Sequence, residues 1–291
     1  MSKSKRYVFV GDRSSVLNRM IDHSLNIVGA FRAKHFCQGK PIQDASVHVE
    51  TIENKKSLLD SLEKLSFDVL VSNGCPFILP ISKIKKPNQQ FINLHGSLLP
   101  KFPGPHPVNA AMLAGHDGGA TCHHMVDEMD AGEIISQVRI ENTPDLDLGL
   151  LFLLTSLAEV DAFELALERE FAVDTTYPIA AQPETYFKVT NENRMIDFSM
   201  DTESLRTHIR AFGLHSQGAT FQHLGREFQV FDAAIVTNSF LCSKSNDFRE
   251  NEVVFVYDST VVIKRSNVFL QLKNVYTESG TIQLGDILKN A

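Results

Sequence analysis

Short apolar runs alternate with amphipathic segments through the first half of the chain. Runs typical of buried strands occur at 7–10, 25–31, 47–52, 67–72 and 91–94. Apolar residues with helical spacing lie between them, at 16–21 and at 55–65. This alternation predicts an α/β fold with a doubly wound, Rossmann-like parallel sheet. In such a sheet, a binding site lies beyond the carboxyl ends of the strands.

The pattern changes in the second half of the chain. A long amphipathic helix is predicted over 150–172, and two prolines within 177–184 mark a link between domains. Five short apolar runs follow and indicate a small, mostly-β open barrel; they occupy 220–224, 228–231, 253–257, 261–263 and 268–272. We therefore expect a first domain over 1–182 and a barrel-like second domain over 183–291.

Composition narrows the class of protein. The chain has 291 residues, a net charge of -7 and 43% hydrophobic residues, which are ordinary values for a globular protein. No basic block is present, which disfavours nucleic acid as a partner. The four cysteines form no CxxC pair, and the apolar run after the basic start is too short for a signal peptide or a membrane span. We expect a cytoplasmic protein without a membrane partner.

The turn after the first predicted strand tests one cofactor class. A dinucleotide fingerprint requires three spaced glycines at this turn. The chain has only Gly11 there, so the sequence argues against NAD.

An amide, an imidazole and a carboxylate come from short non-helical segments. Asn93 and His95 are two residues apart at the end of a predicted strand, so their side chains point to the same side. Asp130 lies in a predicted loop of sequence Met-Asp-Ala-Gly. An amide donor, a histidine and a carboxylate that orients it can together perform acyl transfer without a covalent intermediate.

A metal site is the competing interpretation of the histidines. The possible ligands are His95, His106, His116, His123 and His124 together with Asp130. They form no HExxH motif, and the cysteines form no CxxC motif, so the sequence predicts no metal. His123 fits a hydrogen-bonded structural histidine near the site as well as it fits a catalytic residue.

Two motifs carry a resemblance to a known family. Asn-x-His-x-Ser-Leu-Leu-Pro occupies 93–100, and Thr-x-His and Asp-x-Gly follow at 121–123 and 130–132. With this spacing, the chain resembles the formyltetrahydrofolate-dependent formyltransferases. Residues 194–198 and 209–211 further resemble the entry to the C-terminal barrel of the longer members. These members include the methionyl-tRNA and sugar-nucleotide enzymes.

The resemblance implies a role for each motif residue. Asn93 would hydrogen-bond the formyl oxygen as it gains negative charge. His95 would assist proton removal from the attacking amine or stabilise the tetrahedral intermediate. Asp130 would hold His95 or an ordered water, and Ser97 would help to shape the turn that follows.

The resemblance also implies a folate pocket. N10-formyltetrahydrofolate would be a consumed cosubstrate. The residues expected to border it are Phe77, Ile78, Leu79, Val126, Asp127, Met129 and Asp130. Those expected in the substrate-side loops are Ser97, Lys101, Pro103, Gly104 and His123.

The chain departs from the family pattern at two places. The first concerns only the geometry of a turn, and the second bears on the acceptor, the molecule that receives the formyl group. Gly96 replaces a common proline, and 101–104 replaces the arginine- and tryptophan-containing segment of the tRNA enzymes; the chain has no tryptophan. We therefore expect the acceptor to be an amino sugar linked to a nucleoside diphosphate, such as a dTDP-4-amino-4,6-dideoxyhexose. Methionyl-tRNA is the alternative acceptor.

Two further alternatives remain, hydrolysis of the formyl carrier and a catalytically inactive folate-binding module. The combination of Asn93, His95 and Asp130 argues against the inactive module. By resemblance, we expect a homodimer.

Overall fold

The chain divides into two units in a computed structural model that describes residues 5–33, 42, 47–177 and 186–290. Unit 1 comprises Met1–Val108, Asp117–Glu141 and Phe152–Phe187. Unit 2 comprises Asn109–His116, Asn142–Leu151 and Lys188–Ala291. The predicted boundary between 182 and 183 lies outside the described residues.

Unit 1 is built on a seven-stranded sheet with the spatial order β3-β2-β1-β4-β5-β6-β7. The strands are β1 Arg6–Val10, β2 Asn26–Arg32, β3 Val49–Thr51, β4 Val69–Asn73, β5 Gln90–His95, β6 Gly118–His124 and β7 Ile134–Ile140. Neighbouring strands from β3 to β5 are parallel, which confirms the predicted doubly wound α/β fold. The sequence did not predict β6 and β7, which pair antiparallel with β5 and with each other.

Helices cover both faces of this sheet. They are α1 Ser14–Asp22, α2 Lys55–Lys64, α3 Ile81–Ile84 and α5 Leu148–Glu168. Another helix, α4 Pro107–Leu113, begins at the end of one segment of unit 1 and continues into unit 2. Because strand side chains alternate between faces, Phe9, Val71 and Ile92 pack in one core with residues of α1 and α5. Val8 and Phe91 pack in a second core with residues of α2 and α3. We call these two sides of the sheet the α5 face and the α3 face.

Helix α5 departs from its predicted form. It starts at Leu148 and ends at Glu168, four residues before the predicted end, and is followed by Glu170 and Phe171 with φ of 52° and 62°. This left-handed turn brings the Phe171 ring to within 6.3 Å of the Phe163 ring in the core. The helix is also less amphipathic than predicted, because Leu153 and Leu157 are exposed. Within the described part of the chain, no helix is long and apolar enough to cross a membrane.

Unit 2 contains a four-stranded antiparallel sheet with the order β10-β13-β12-β11 and the hairpin β8-β9. The strands are β8 Ala219–His223, β9 Arg226–Val230, β10 Asp232–Val236, β11 Val253–Tyr257, β12 Thr260–Arg265 and β13 Val268–Lys273. The helices are α6 Thr202–Arg210 and α7 Ser239–Cys242, with a 3-10 turn at Ser245–Asp247. This unit confirms the prediction of a mostly-β second domain, although the sequence did not predict β10 or α6.

Hydrogen bonds join the separate chain segments of unit 2. The Asn109 side-chain amide donates to Ala211 O and to Gln217 Oε1, both at 2.7 Å. The Arg210 guanidinium donates to Leu146 O at 2.6 Å. These bonds attach 109–116 and 142–151 to the end of α6.

Because α5 has both buried and exposed side chains, two substitutions on this helix should differ in their effect on the free energy of unfolding. Phe163 is fully buried, so Phe163→Ala should lower the free energy of unfolding by about 3–5 kcal/mol. Leu157 is 55% exposed, and Leu157→Ala should cost less than about 1 kcal/mol. Chemical denaturation of the two variants measures both values. Equal losses would contradict this description of the helix.

Candidate active site

A cavity of about 480 Å3 lies at the carboxyl-terminal edge of the unit 1 sheet. Its wall comes from the segments that follow β1 and β4, from the end of β5, and from the loop between β6 and β7. This is the position where a doubly wound sheet binds ligands, and the volume lies in the range of about 300–1,000 Å3 usual for ligand pockets.

The cavity brings together most of the residues singled out from the sequence. Those that line it are Asn93, His95, Asp130, Phe77, Ile78, Leu79, Val126, Asp127, Met129, Gly104 and His123. Ser97, Lys101 and Pro103 are not among the described residues of its wall. Two stretches of the wall, which we call the apolar walls, carry apolar side chains: one is 77–79 and the other is 125–129, which also contributes Asp127 and Glu128. Ile78 is 58% exposed and Val126 is 45% exposed, so both walls present free apolar surface.

Asn93 is held by His123 on the neighbouring strand. Its side-chain amide donates to His123 Nε2 at 3.2 Å, and His123 Nδ1 donates to His124 O at 2.9 Å. This arrangement requires the neutral imidazole with its proton on Nδ1. Burial lowers the pKa of His123 to about 4, against the opposing influence of the Asp130 carboxylate.

His95 faces an oxygen acceptor from each ring nitrogen. Its Nε2 lies 2.9 Å from Phe102 O, and its Nδ1 lies 3.5 Å from Asp130 Oδ2. The Ser97 hydroxyl donates to Lys101 O at 2.7 Å and also contacts Phe102 O at 3.2 Å. Ser97 therefore acts on the loop that contacts His95, not on the cavity itself.

Asp130 is held by the backbone around it. Gly104 N donates to Asp130 Oδ2 at 2.9 Å, and Asp130 Oδ1 lies 3.7 Å from His123 Nε2. The loop folds back tightly, because a methyl group on Gly132 would lie 1.7 Å from His124 O. The Asp-x-Gly spacing thus reflects a close backbone contact that only glycine allows.

Thr121 connects β6 to the turn after β5. Its hydroxyl donates to Ser97 O at 2.6 Å and accepts from Leu99 N at 3.1 Å. Gln137 on β7 donates to Leu99 O at 2.7 Å. These bonds hold the Ser-Leu-Leu-Pro turn against the β6-β7 hairpin, which explains why the two sequence motifs occur together.

A charged cluster beside the cavity was not predicted from the sequence. Arg13 lines the cavity and forms an ion pair with Glu159 of α5, and the Asn73 amide donates to Glu159 Oε2 at 3.0 Å. Burial raises the pKa of the Glu159 carboxyl, and Arg13 opposes that shift. The two charges lie 146 positions apart, and no motif connects them.

The histidines do not gather into a metal centre. Only His95 and His123 lie near Asp130, whereas His124 Nε2 contacts Phe171 O at 3.0 Å. Over the residues with described positions, no group of three or more His, Cys, Asp or Glu side chains is arranged to hold a metal ion.

Comparison with known families matches both units of the chain. Residues 20–163 match the formyl transferase family, and residues 188–289 match the formyl transferase C-terminal domain. A methionyl-tRNA formyltransferase of Thermotoga neapolitana is 26% identical over an alignment of length 261, which covers 80% of this chain and 80% of that protein.

Solved structures share the fold at low sequence identity. The sugar 3N-formyltransferase WlaRD, crystallised in the presence of dTDP and 5-N-formyl-THF, has a TM-score of 0.71 at 14% identity and covers 96% of this chain and 100% of its own. An N-formyltransferase of Helicobacter canadensis, in complex with folinic acid and dTDP-3-aminofucose, has a TM-score of 0.67 at 14% identity and covers 92% and 98%.

HypX of Aquifex aeolicus, in complex with tetrahydrofolic acid, has a TM-score of 0.65 at 17% identity over 95% of this chain. The chain spans 45% of the length of HypX. The two family matches, on residues 20–163 and 188–289, lead to one conclusion: this chain belongs to the formyl transferase family.

Proposed function

We propose that this protein transfers a formyl group from N10-formyltetrahydrofolate to the primary amine of a nucleoside-diphosphate-linked amino sugar. A dTDP-4-amino-4,6-dideoxyhexose is the acceptor that we favour. The observation that carries the formyl-transfer chemistry is the convergence of Asn93, His95 and Asp130 on one cavity between two apolar walls. We further propose that the protein acts as a cytoplasmic homodimer.

The two apolar walls suit the flat ring of a folate. Phe77 and Ile78 on one side and Val126 and Met129 on the other line the cavity with apolar side chains. Folate complexes of two solved structures with this fold support the same donor.

Asn93 is suited to bind the formyl oxygen. A side-chain amide carries two N–H donors, and His123 accepts only one of them. The bond to neutral His123 fixes the plane of the amide and leaves the second donor for a ligand. A donor held in place before the reaction stabilises negative charge on the oxygen without reorganisation.

His95 and Asp130 are suited to manage the proton of the attacking amine. Because His95 Nε2 donates to Phe102 O, the free lone pair of the neutral ring is on Nδ1 and would accept that proton. Asp130 Oδ2, 3.5 Å from Nδ1, would stabilise the resulting imidazolium, and the proton would then pass to N10 as tetrahydrofolate leaves. Since Gly104 N holds the carboxylate, Asp130 can keep this position through the reaction.

Two observations bear on the acceptor. The two solved N-formyltransferases named above align with over nine-tenths of this chain, and one of them is in complex with dTDP-3-aminofucose. Residues 194–289 carry no excess of basic over acidic side chains, whereas tRNA binding depends on neutralising phosphates. Both favour the sugar nucleotide. Methionyl-tRNA formylation is the second candidate, supported by the sequence relative from Thermotoga neapolitana.

The catalytic roles predict large losses of turnover. Asn93→Ala, His95→Ala and Asp130→Ala should each lower kcat by about a hundredfold or more, with the fold retained. Glu133→Gln, at an exposed position of the same β6-β7 loop that does not line the cavity, is the matched control and should stay near the wild-type value. Formyl transfer followed by absorbance of the folate product gives these rates. Near-normal turnover in His95→Ala would exclude this mechanism.

The neutral state of His123 predicts a pH-dependent stability. Between pH 6.5 and about 4, an unfolded chain protonates this histidine while the native protein keeps it neutral. The free energy of unfolding should therefore decrease as the pH falls through this window, by about 3 kcal/mol in total from this group.

Urea titrations at several pH values measure this loss. His123→Asn should flatten the curve between pH 6.5 and 4, and His116→Asn, at an exposed position, is the control. Identical pH curves for wild type and His123→Asn would show that the native protein does not keep this imidazole neutral.

The choice of acceptor is tested by direct competition. The protein should formylate a dTDP- or UDP-linked amino sugar and leave methionyl-tRNA unreacted when both are present with N10-formyltetrahydrofolate. Remote binding of the nucleotide positions the amine and lowers the entropic barrier, so free dTDP or UDP should inhibit. Efficient formylation of methionyl-tRNA with inert amino sugars would establish the alternative.

A further inference from the structure

Arg13 is the single Lys or Arg side chain among the described residues that line the cavity. Four acidic residues also line the cavity: Asp12, Asp127, Glu128 and Asp130. An anionic ligand group that enters this cavity therefore meets one permanently positive side chain.

Glu159 anchors Arg13 without competing for the ligand. One carboxylate oxygen of Glu159 pairs with Arg13 Nη1, and the other accepts from the Asn73 amide at 3.0 Å. The Glu159 side chain is 1% exposed, so it is closed to a ligand. The Arg13 side chain is 20% exposed, and a guanidinium has five N–H donors, more than Glu159 can use.

The cluster lies on the opposite face of the sheet from the proposed folate walls. Glu159 belongs to α5. Asn73 lies two and four residues after Val71 and Val69 on β4, so its side chain points to the same α5 face as theirs. Phe77 and Leu79 pack with the core of the α3 face. The two substrates must reach the formyl carbon from different sides, so the α5 face is left for the acceptor.

Glu159 also lies close to the end of the strand that carries Asn93 and His95. A methyl group on Gly96 would lie 3.5 Å from Glu159 Oε1. Arg13 itself lies against the residue that follows β4, since its Cγ and Nε would lie 3.1 and 3.4 Å from a methyl group on Gly74. The guanidinium is thus carried from the end of β1 toward the end of β5.

Local structure at Arg13 adds to its positive potential. Arg13 is the N-cap of α1, and its side chain lines the cavity. The N-terminus of a helix favours anions through its dipole. The neighbouring Asp12 already accepts a hydrogen bond from Ala33 N at 2.8 Å.

We propose that Arg13 binds a phosphate oxygen of the acceptor and that Glu159 positions it, which makes Arg13 a specificity-determining residue for acceptors with a phosphate group. This inference rests on the proposed function for the direction from which the acceptor enters. The phosphate of the acceptor would then bind on the α5 face, and the folate carboxylates would lie at the rim of the cavity.

The test is calorimetric binding of three probes, inorganic pyrophosphate, dTDP and folinic acid, to the full chain. The variants are Arg13→Met and the double variant Arg13→Met/Glu159→Gln, which avoids leaving a buried carboxylate unpaired if the single variant does not fold. Arg19→Met is the charge-matched control, because Arg19 lies on the same helix, pairs with Glu164 and does not line the cavity.

Removing charge-assisted hydrogen bonds should raise the Kd of pyrophosphate and of dTDP by about tenfold to a hundredfold in both Arg13 variants. Folinic acid should change by less than about twofold, and Arg19→Met should bind all probes as wild type does. Equal pyrophosphate binding with and without Arg13, no pyrophosphate binding by the wild type, or a loss confined to folinic acid would overturn the inference.

The wild-type acceptor assay distinguishes this inference from the proposed function. Arg13-dependent pyrophosphate binding in a protein that formylates only methionyl-tRNA would reject the amino-sugar acceptor and retain the Arg13 site. Sugar formylation together with pyrophosphate binding that does not depend on Arg13 would retain the amino-sugar acceptor and reject the Arg13 site.

Discussion

The geometry of the site depends on one buried hydrogen-bond chain, from the Asn93 amide through neutral His123 to the carbonyl of His124. Burial makes a charged imidazole costly at this position, and the carbonyl acceptor at Nδ1 selects the tautomer. The consequence is a histidine that accepts from Asn93 instead of donating to Asp130. Asn93 is therefore fixed by a neutral partner, while Asp130 remains free to act on His95.

Apolar surface and a charged pair occupy different parts of the cavity. Apolar surface from 77–79 and 125–129 lies on one side, and the Arg13–Glu159 pair lies on the other, with Asn93 and His95 at the strand end between them. A formyl transfer requires this arrangement, because a flat donor and an amine acceptor must meet at one carbon atom. The buried carboxylate of Glu159 is tolerated because both of its oxygens have partners.

The sequence predicted the features that depend on local pattern. Apolar runs located β1, β2, β4 and β5, and the two-residue spacing placed Asn93 and His95 on one side of β5. It did not predict β6 or β7, since 118–124 contains glycines and histidines without a clear alternation. The sequence also did not predict the cluster of Arg13, Asn73 and Glu159, because these side chains come into contact only when β1, β4 and α5 pack together. A buried ion pair between distant positions has no signature in a single sequence.

Nitrogen-15 NMR of the histidine ring nitrogens between pH 4 and 8 reports whether His123 is neutral and can orient Asn93. We expect His123 to keep a protonated Nδ1 and an unprotonated Nε2 down to about pH 4. A His123 ring that carries its proton on Nε2, or that becomes protonated near pH 6.5, would contradict this expectation.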